Sequence, residues 1–197
     1  YSPEATVTWY VNDDTTLYAA YKTGYKSGGI ANPATLTRVY YNNPEALKFE
    51  PEEAKGGEIG YKAHLFDRRL RLQATVYQYD YEGLQLSAYD APTVSYILRN
   101  AADARTRGVE LSADWVATRQ LRLNASVGYN RAKYLSFPTS SCYQGQTEAD
   151  GCVDGVQDLS GRTLHRAPKW MGNMGIVYDI PLRNGLDLQL SADAKFS

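Results

Sequence analysis

Strict alternation of apolar and polar residues is the feature of this sequence that most constrains its fold. In residues 186–196 an apolar side chain stands at each even position and a polar one at each odd position. Successive side chains of a β-strand point to opposite faces, so this pattern predicts a strand with one apolar and one polar face. In a helix, Leu186 and Leu188 would lie about 200° apart and would share no face. Similar alternation recurs in residues 58–65, 70–77, 109–115 and 121–130.

The connections between these runs predict an all-β, antiparallel sheet of about eight strands in hairpins. Short turns are expected at 12–14, 66–68, 117–119 and 181–185, several of which contain Asn, Asp, Gly or Pro. Long segments at 23–54 and 135–168, and a short one near 90–92, join strands at the other end. The predicted strands are residues 4–11, 15–23, 55–66, 69–89, 94–116, 120–134, 169–180 and 186–197. Short periplasmic turns and long extracellular loops are typical of transmembrane β-barrels.

A soluble β-sandwich is the alternative interpretation, since it also alternates apolar and polar residues. Soluble strands usually have about five or six residues, whereas the unbroken patterns here run for nine to thirteen. A transmembrane strand needs about 9–11 residues. The apolar positions also include many alanines, which suit a lipid-facing surface better than an interdigitated core. Strand length and composition therefore favour a membrane barrel.

Composition adds two constraints. The chain contains 17 Tyr and 3 Trp, and many of these lie near the ends of the predicted strands, as in the aromatic girdles of membrane barrels. The formal net charge is −1, with 21 Lys and Arg against 22 Asp and Glu. This balance removes the simplest electrostatic case for nucleic-acid binding, and no nucleic-acid partner is expected. No apolar run is long enough for a spanning helix.

Four segments resemble the barrel of TonB-dependent outer-membrane receptors, and they occur in the same order as in that family. They are residues 18–29 (YAAYKTGYKSGG), 49–62 (FEPEEAKGGEIGYK), 70–85 (LRLQATVYQYDYEGLQ) and 100–110 (NAADARTRGVE). The resemblance implies a barrel of about 22 strands that encloses a plug domain. It also implies a bacterial outer-membrane transporter that takes up a scarce ligand, such as an iron-siderophore, cobalamin or an oligosaccharide.

The resemblance further implies which parts of such a receptor this chain supplies. Residues 1–197 are expected to be part of the barrel domain, without a plug domain and without a signal peptide. The implied partners are the outer-membrane lipid, the receptor's own plug, the TonB energy-transducing complex that acts through that plug, and a small-molecule ligand. The sequence predicts a fragment of the transporter and leaves the ligand's identity open.

Two other functions remain as alternatives at this point. Eight strands can close into a complete small outer-membrane barrel with a structural or adhesive role. An outer-membrane enzyme is the third possibility. No Ser/His/Asp order, glycine-rich phosphate loop or H-E-x-x-H motif occurs, so we expect no enzymatic activity, and we expect neither a cofactor nor a metal site.

Aromatic and basic residues in the first long loop region are the candidate ligand contacts. They are Tyr25, Lys26, Arg38, Tyr40 and Tyr41. Such residues are common in binding surfaces, although they could also be ordinary aromatics of a barrel rim.

The second long loop contains the only two cysteines, Cys142 and Cys152. In an oxidising compartment such a pair predicts a disulfide; free thiols and a metal site are the alternatives, with His165 as the nearest histidine. Asp150, Asp154 and Asp158 lack the D-x-[DN]-x-[DN]-G order of calcium loops, so a solvated acidic loop is expected there.

The polar face of the predicted strands should face a hydrated lumen, because charges on the lipid face are costly. His64 belongs to this face, either as a plain luminal residue or as a proton-linked switch. The other inward positions are Glu58, Lys62, Arg71, Gln73, Glu110, Ser112, Asp114, Arg122, Asn124, Asp187, Gln189 and Lys195.

Overall fold

The computed structural model describes residues 1–32, 38–90, 95–183 and 185–197, without the side chains of residues 38, 39, 88–90 and 95. Its centre is one antiparallel sheet of eight strands, each paired with the next long strand along the chain. The long strands are β1 (Glu4–Asn12), β2 (Thr15–Lys26), β5 (Glu52–Leu65), β6 (Leu70–Asp90), β7 (Ser95–Val116), β8 (Leu121–Ser136), β11 (Trp170–Pro181) and β12 (Asp187–Phe196). All eight predicted strands are confirmed. The largest extension is at β2 and β5, where Lys26 pairs with Glu52.

The remaining elements lie in the long loops. Two-residue strands form two small ladders, β3 (Gly29–Ile30) with β4 (Lys48–Phe49), and β9 (Ser140–Ser141) with β10 (Val156–Gln157). A short helix α1 spans Arg38–Asn42, and 3-10 turns span Pro44–Leu47 and Glu148–Asp150. No helix among the described residues is long and apolar enough to cross a membrane.

The strand register separates an apolar outer face from a polar inner face. Two adjacent rows of directly paired residues across β5, β6, β7, β8, β11 and β12 show this separation. The outer row is Ala63, Leu72, Ala113, Ala125, Met174 and Ala194, and the inner row is Lys62, Gln73, Ser112, Ser126, Asn173 and Lys195. Every inward position predicted from the sequence lies on the inner face. One register therefore gives the sheet a lipid-compatible side and a water-compatible side.

The outer face is not covered by a second layer within the described residues. Ile59 is 66% exposed, Val76 57% and Met174 58%. In a sandwich these side chains would be buried against an opposing sheet. Soluble monomers rarely leave a continuous apolar sheet face open to water. The sheet is thus a segment of barrel wall, as predicted, and the sandwich alternative does not hold.

Tyrosines on the inner face lie over glycines of the neighbouring strand. Tyr18 covers Gly60, and Tyr77 of β6 contacts Gly108 of β7. Glycine leaves a gap in a sheet that an aromatic ring from the next strand can fill. These contacts fix inner-face side chains on a wall that has no opposing layer.

A methyl group at Gly56 should destabilise the wall, because it would meet the backbone of Gln78 and Tyr79. We expect Gly56→Ala to lower the free energy of unfolding by about 1–3 kcal/mol, the range for overpacking. In gel electrophoresis of heated samples, the band of the folded protein should then give way to the band of the unfolded protein at a lower temperature. Gly24 on β2 shares the inner face and has open space around its Cβ position. Equal decreases in the free energy of unfolding for Gly56→Ala and Gly24→Ala would contradict the packing argument.

The tight turns meet at one end of the sheet, as predicted. Phe66, Asp67 and Arg68 have φ angles of 54°, 53° and 64°, so this reversal uses three left-handed residues without glycine. Arg68 Nε lies 2.8 Å from Asp14 Oδ1, which joins the β5–β6 turn to the β1–β2 turn.

The two edge strands, β1 and β12, do not pair with each other in the described part of the chain. A complete small barrel requires that pairing. The structure therefore does not favour the small-barrel alternative.

Candidate functional site

The first long loop packs onto the loop end of β7 through its own small core. Tyr40 of α1 is 4% exposed and lies with Ala31, Leu47 and Ile97, and Phe49 and Leu98 pack against this cluster. Arg99 of β7 donates a hydrogen bond from Nη2 to the Tyr40 hydroxyl at 2.7 Å. Tyr40 thus anchors the loop to the sheet.

Two side-chain amides, of Gln85 and Asn100, hold the base of this loop. Gln85 is 7% exposed, and its Nε2 donates to the carbonyl oxygens of Ser27 at 3.0 Å and Glu50 at 3.1 Å. Asn100 Nδ2 donates to Glu50 O at 2.9 Å, and its Oδ1 accepts from Glu50 N. We call this group the amide clasp. It joins the first loop to β6 and β7 at the level where β2 and β5 end.

The structure places the predicted ligand contacts in different environments. Tyr25 is 56% exposed at the end of β2, on the outer face, and the next residue, Lys26, is on the inner face opposite Glu52. Tyr41 is 82% exposed on α1, next to the buried Tyr40. Arg38 begins α1, and its side chain lies outside the described residues. Tyr40 and Tyr41 share one element, and Tyr25 and Lys26 share another.

The second long loop folds back along β8 and packs on β6 and β7. Its backbone continues the ladder, with Tyr134 N donating to Arg162 O at 3.0 Å and Leu164 N donating to Ala132 O at 3.1 Å. Beneath it lies a cluster of buried and partly buried apolar side chains. Its members include Ala102, Ala104, Tyr134, Phe137, Leu159 and Leu164. The base of this loop is therefore a packed structure.

The tip of the second loop is closed by a disulfide and a short turn. Cys142 and Cys152 are bonded, with Cα atoms 5.9 Å apart. Asp150 Oδ2 accepts from the Thr147 hydroxyl at 2.7 Å and from Thr147 N at 3.2 Å, and these bonds lower the pKa of the Asp150 carboxyl. Because that pKa is depressed, the bonds support the turn at neutral pH and are lost as the pH falls through the folded-state pKa.

Loss of the disulfide should loosen the loop tip and leave the sheet intact. The cross-link spans a separation of 10 residues, and the chain-entropy model gives about 2–3 kcal/mol for such a loop. We expect Cys142→Ser/Cys152→Ser to speed proteolytic cleavage between residues 142 and 152, with heat modifiability unchanged. In the parent protein, thiol labelling without reductant should give no signal; two labelled thiols would contradict the disulfide.

The inner face carries paired charges of both signs. Glu58 accepts from Lys22 Nζ and from the Tyr79 hydroxyl, each at 2.9 Å. Farther along the sheet on the same face, Arg122 Nη2 of β8 donates to Asp179 Oδ2 of β11 at 2.7 Å. Such a wall is suited to contact with water and with a polar partner inside a lumen. Among the described residues no group of three or more His, Cys, Asp and Glu could hold a metal ion.

Strands that are apolar outside and polar inside, with tight turns at one end and packed loops at the other, define an outer-membrane β-barrel. The family model described as "TonB dependent receptor-like, beta-barrel" matches residues 1–196. The chain therefore belongs to the TonB-dependent receptor β-barrel family. Receptors of this family are bacterial outer-membrane proteins, and the family consists of receptors and transporters rather than enzymes.

Three solved structures illustrate the likeness of fold. The ferric yersiniabactin uptake receptor FyuA from Yersinia pestis has a TM-score of 0.66 and 19% identity, over 94% of this chain and 24% of its own. BauA, the ferric preacinetobactin receptor from Acinetobacter baumannii, gives 0.65 and 19%, over 98% and 25%. The copper transporter OprC gives 0.60 and 20%, over 90% and 23%. The chain thus spans about a quarter of the length of these proteins.

Sequence reasoning missed the amide clasp, although its residues lie in segments that carry the family resemblance. Asn100 opens one of those segments, Gln85 ends another, and Glu50 lies within a third. An amide beside a strand end has no distinctive spacing of its own. Only the register, which brings the three segments together, shows what these side chains do.

Proposed function

We propose that this chain is a section of the barrel of a TonB-dependent transporter that imports a scarce ligand across the outer membrane, and that the ligand is an iron-siderophore. The single strongest support is the match of residues 1–196 to the receptor barrel family. FyuA is named as a ferric yersiniabactin uptake receptor, BauA as a ferric preacinetobactin receptor, and PiuA from Acinetobacter baumannii, another structure of similar fold, as a siderophore receptor. These names make iron-siderophores the first ligand class to test. Cobalamin and oligosaccharides are the other classes.

In this proposal each face of the sheet has its own partner. The outer face contacts lipid, and the inner face contacts a plug domain outside this chain, through which the TonB complex acts. Paired charges such as Lys22–Glu58 offer polar contacts that a movable plug can make and release. The chain supplies wall and rim, with no catalytic role and no nucleic-acid partner.

Ligand capture is proposed at the first long loop, by Tyr25, Lys26, Arg38, Tyr40 and Tyr41. Tyr41 is the most accessible of the three tyrosines, and a set of aromatic and basic residues suits a ligand that carries aromatic rings and negative charge. The buried Tyr40 would act through the position of the loop.

We expect Tyr41→Ala, in the full-length receptor that contains this chain, to weaken ferric-siderophore binding about fivefold or more, the loss typical of an interface aromatic. Binding is measured by equilibrium titration, and uptake with radiolabelled iron in cells with and without TonB. Tyr143→Ala is the matched control, since Tyr143 is also exposed, at 62%, but lies in the second loop. If cobalamin or an oligosaccharide binds and the ferric siderophore does not, that class replaces the siderophore as the proposed ligand. Uptake that does not depend on TonB would refute the transport proposal.

A further inference from the structure

The apolar outer face continues to the tight turns at the end of the sheet. Leu65 and Leu70 pair across the β5–β6 turn, and Leu70 also pairs with Trp115, which is 42% exposed. Leu182 and Leu186 lie in the β11–β12 turn and are 47% and 65% exposed. Because hydrocarbon covers the outer face of a barrel only as far as that face is apolar, the phosphate layer of a surrounding bilayer lies at the level of these turns.

The β5–β6, β7–β8 and β11–β12 turns carry more positive than negative charge. Their only side-chain carboxylate is that of Asp67. They contain four arginines, which are Arg68, Arg69, Arg119 and Arg183. Arg68 pairs with Asp14 of the β1–β2 turn, with Nε 2.8 Å from Oδ1. The other three arginines have no ion pair with a carboxylate in the part of the chain that the structure describes.

Hydrogen bonds join these three turns into one continuous rim, which we call the arginine rim. Arg69 donates from Nε to Val116 O at 3.1 Å and from Nη2 to Ala117 O, so its side chain links the first turn to the second. Asp179 N donates to Gln120 O at 2.9 Å, which links the second turn to β11. Neighbouring turns of the rim lie two strand spacings, about 10 Å, apart.

Arg119 and Arg183 occupy neighbouring turns of the arginine rim, and both are exposed. Two arginine side chains can together span about 10 Å, the distance between such turns, and bind the same phosphate. A guanidinium group presents paired N–H donors to phosphate oxygens. Positive charge without a carboxylate partner also repels an ammonium group. The rim is therefore suited to a phosphate headgroup with a net negative charge.

We propose that the arginine rim binds an anionic phospholipid of the periplasmic leaflet. The phosphate of the lipid binds Arg119 and Arg183, and its acyl chains lie on the apolar outer face beside the turns. Charge selects an anionic over a zwitterionic headgroup, and the adjoining apolar surface selects a lipid over a soluble phosphate. The site rests on the proposed outer-membrane function, because the turns meet the periplasmic leaflet only in that orientation.

The test measures lipid carried by the full-length receptor that contains this chain. Detergent-purified receptor is incubated with phosphatidylglycerol or phosphatidylethanolamine, and bound lipid is counted by native mass spectrometry. The parent should bind more phosphatidylglycerol than phosphatidylethanolamine. We expect Arg119→Gln/Arg183→Gln to lower occupancy by phosphatidylglycerol about tenfold or more. High salt should weaken binding to the exposed arginines, and glycerol phosphate, which lacks acyl chains, should not displace the bound lipid.

A control variant makes the same charge change on the inner face, Arg71→Gln/Lys195→Gln, and should retain parental lipid occupancy. Heat modifiability shows that each variant is folded. Equal binding of the two lipids by the parent, or unchanged phosphatidylglycerol occupancy in the folded rim variant, would overturn the lipid site. Displacement by glycerol phosphate would also overturn it, since the rim would then bind phosphate without selecting a lipid. Siderophore uptake measured on the same variants separates the two proposals, because lipid binding can fail while uptake persists, and the reverse.

Discussion

Arginine in place of Ala192 should strongly destabilise this wall in a bilayer, whereas arginine in place of the neighbouring Ser191 should be tolerated. Ala192 pairs with Ile176 on the outer face, in the middle of the apolar run of β12, and Ser191 pairs with Val177 on the inner face. Arginine on the lipid side near the bilayer midplane costs about 2–4 kcal/mol. Asp179 and Asp193, on the inner face near Ser191, would favour the control arginine.

The measurement is the free energy of unfolding of the full-length receptor in liposomes, with heat modifiability as a check of folding. The two variants carry the same added side chain at adjacent positions. A difference between their free energies of unfolding therefore reports only which face of the sheet the arginine occupies. A stable Ala192→Arg variant with an unfolded Ser191→Arg variant would reverse the assignment of lipid and lumen. Equal stabilities would remove the evidence that this surface meets hydrocarbon.

Removal of the Gln85 amide should release the first loop and weaken ligand binding by about tenfold or more. The Gln85→Leu substitution keeps the side chain's approximate size but removes the Nε2 donor to the carbonyls of Ser27 and Glu50, of which Glu50 O retains its bond from Asn100 Nδ2. Each of these lost hydrogen bonds costs about 0.5–1.5 kcal/mol. Because Tyr41 belongs to this loop, displacement of the loop's base also moves Tyr41, the proposed ligand contact. The expected readouts are weaker siderophore binding and faster amide hydrogen exchange around residues 26–31 and 48–52.

Gln78→Leu is the matched control, since Gln78 lies on the same strand but is exposed on the outer face. It should leave ligand affinity and loop exchange unchanged. If the Gln85→Leu variant retains both as well, the clasp does not position the loop. If exchange rises while affinity stays, the loop is released but does not contact the ligand.

Period-two patterning predicts the sheet and its two faces because both depend on a local rule. Each side chain of a strand points to the opposite face from the one before it. Residues two apart, such as Leu186 and Leu188, therefore share a face whichever strands pair with theirs. The register then follows from the short turns, as at Phe66–Arg68, which leave little freedom for slippage. This is why Lys62 and Lys195, far apart in sequence, are both assigned correctly to the inner face.

The loops follow no such rule. Tyr40 and Tyr41 are adjacent identical residues, yet one is buried and the other exposed. Tyr40 is buried because Ile97 and Leu47 pack against it, and they contact it only after β7 and the first loop have come together. The two-residue ladders β3–β4 and β9–β10 are likewise too short to show any period. Burial in these loops is a property of the folded assembly, and single-sequence patterns do not encode it locally.

The unpaired sides of β1 and β12 determine how this polypeptide can enter a membrane. Within the described residues their outward-lying amides and carbonyls have no strand partner, and hydrocarbon offers none. Insertion must therefore coincide with the arrival of further strands on both flanks, from the same polypeptide or another copy. Expressed by itself, this segment should accumulate as intermolecular aggregates joined along these flanks, and co-expression with complementary barrel segments should restore a membrane-inserted species.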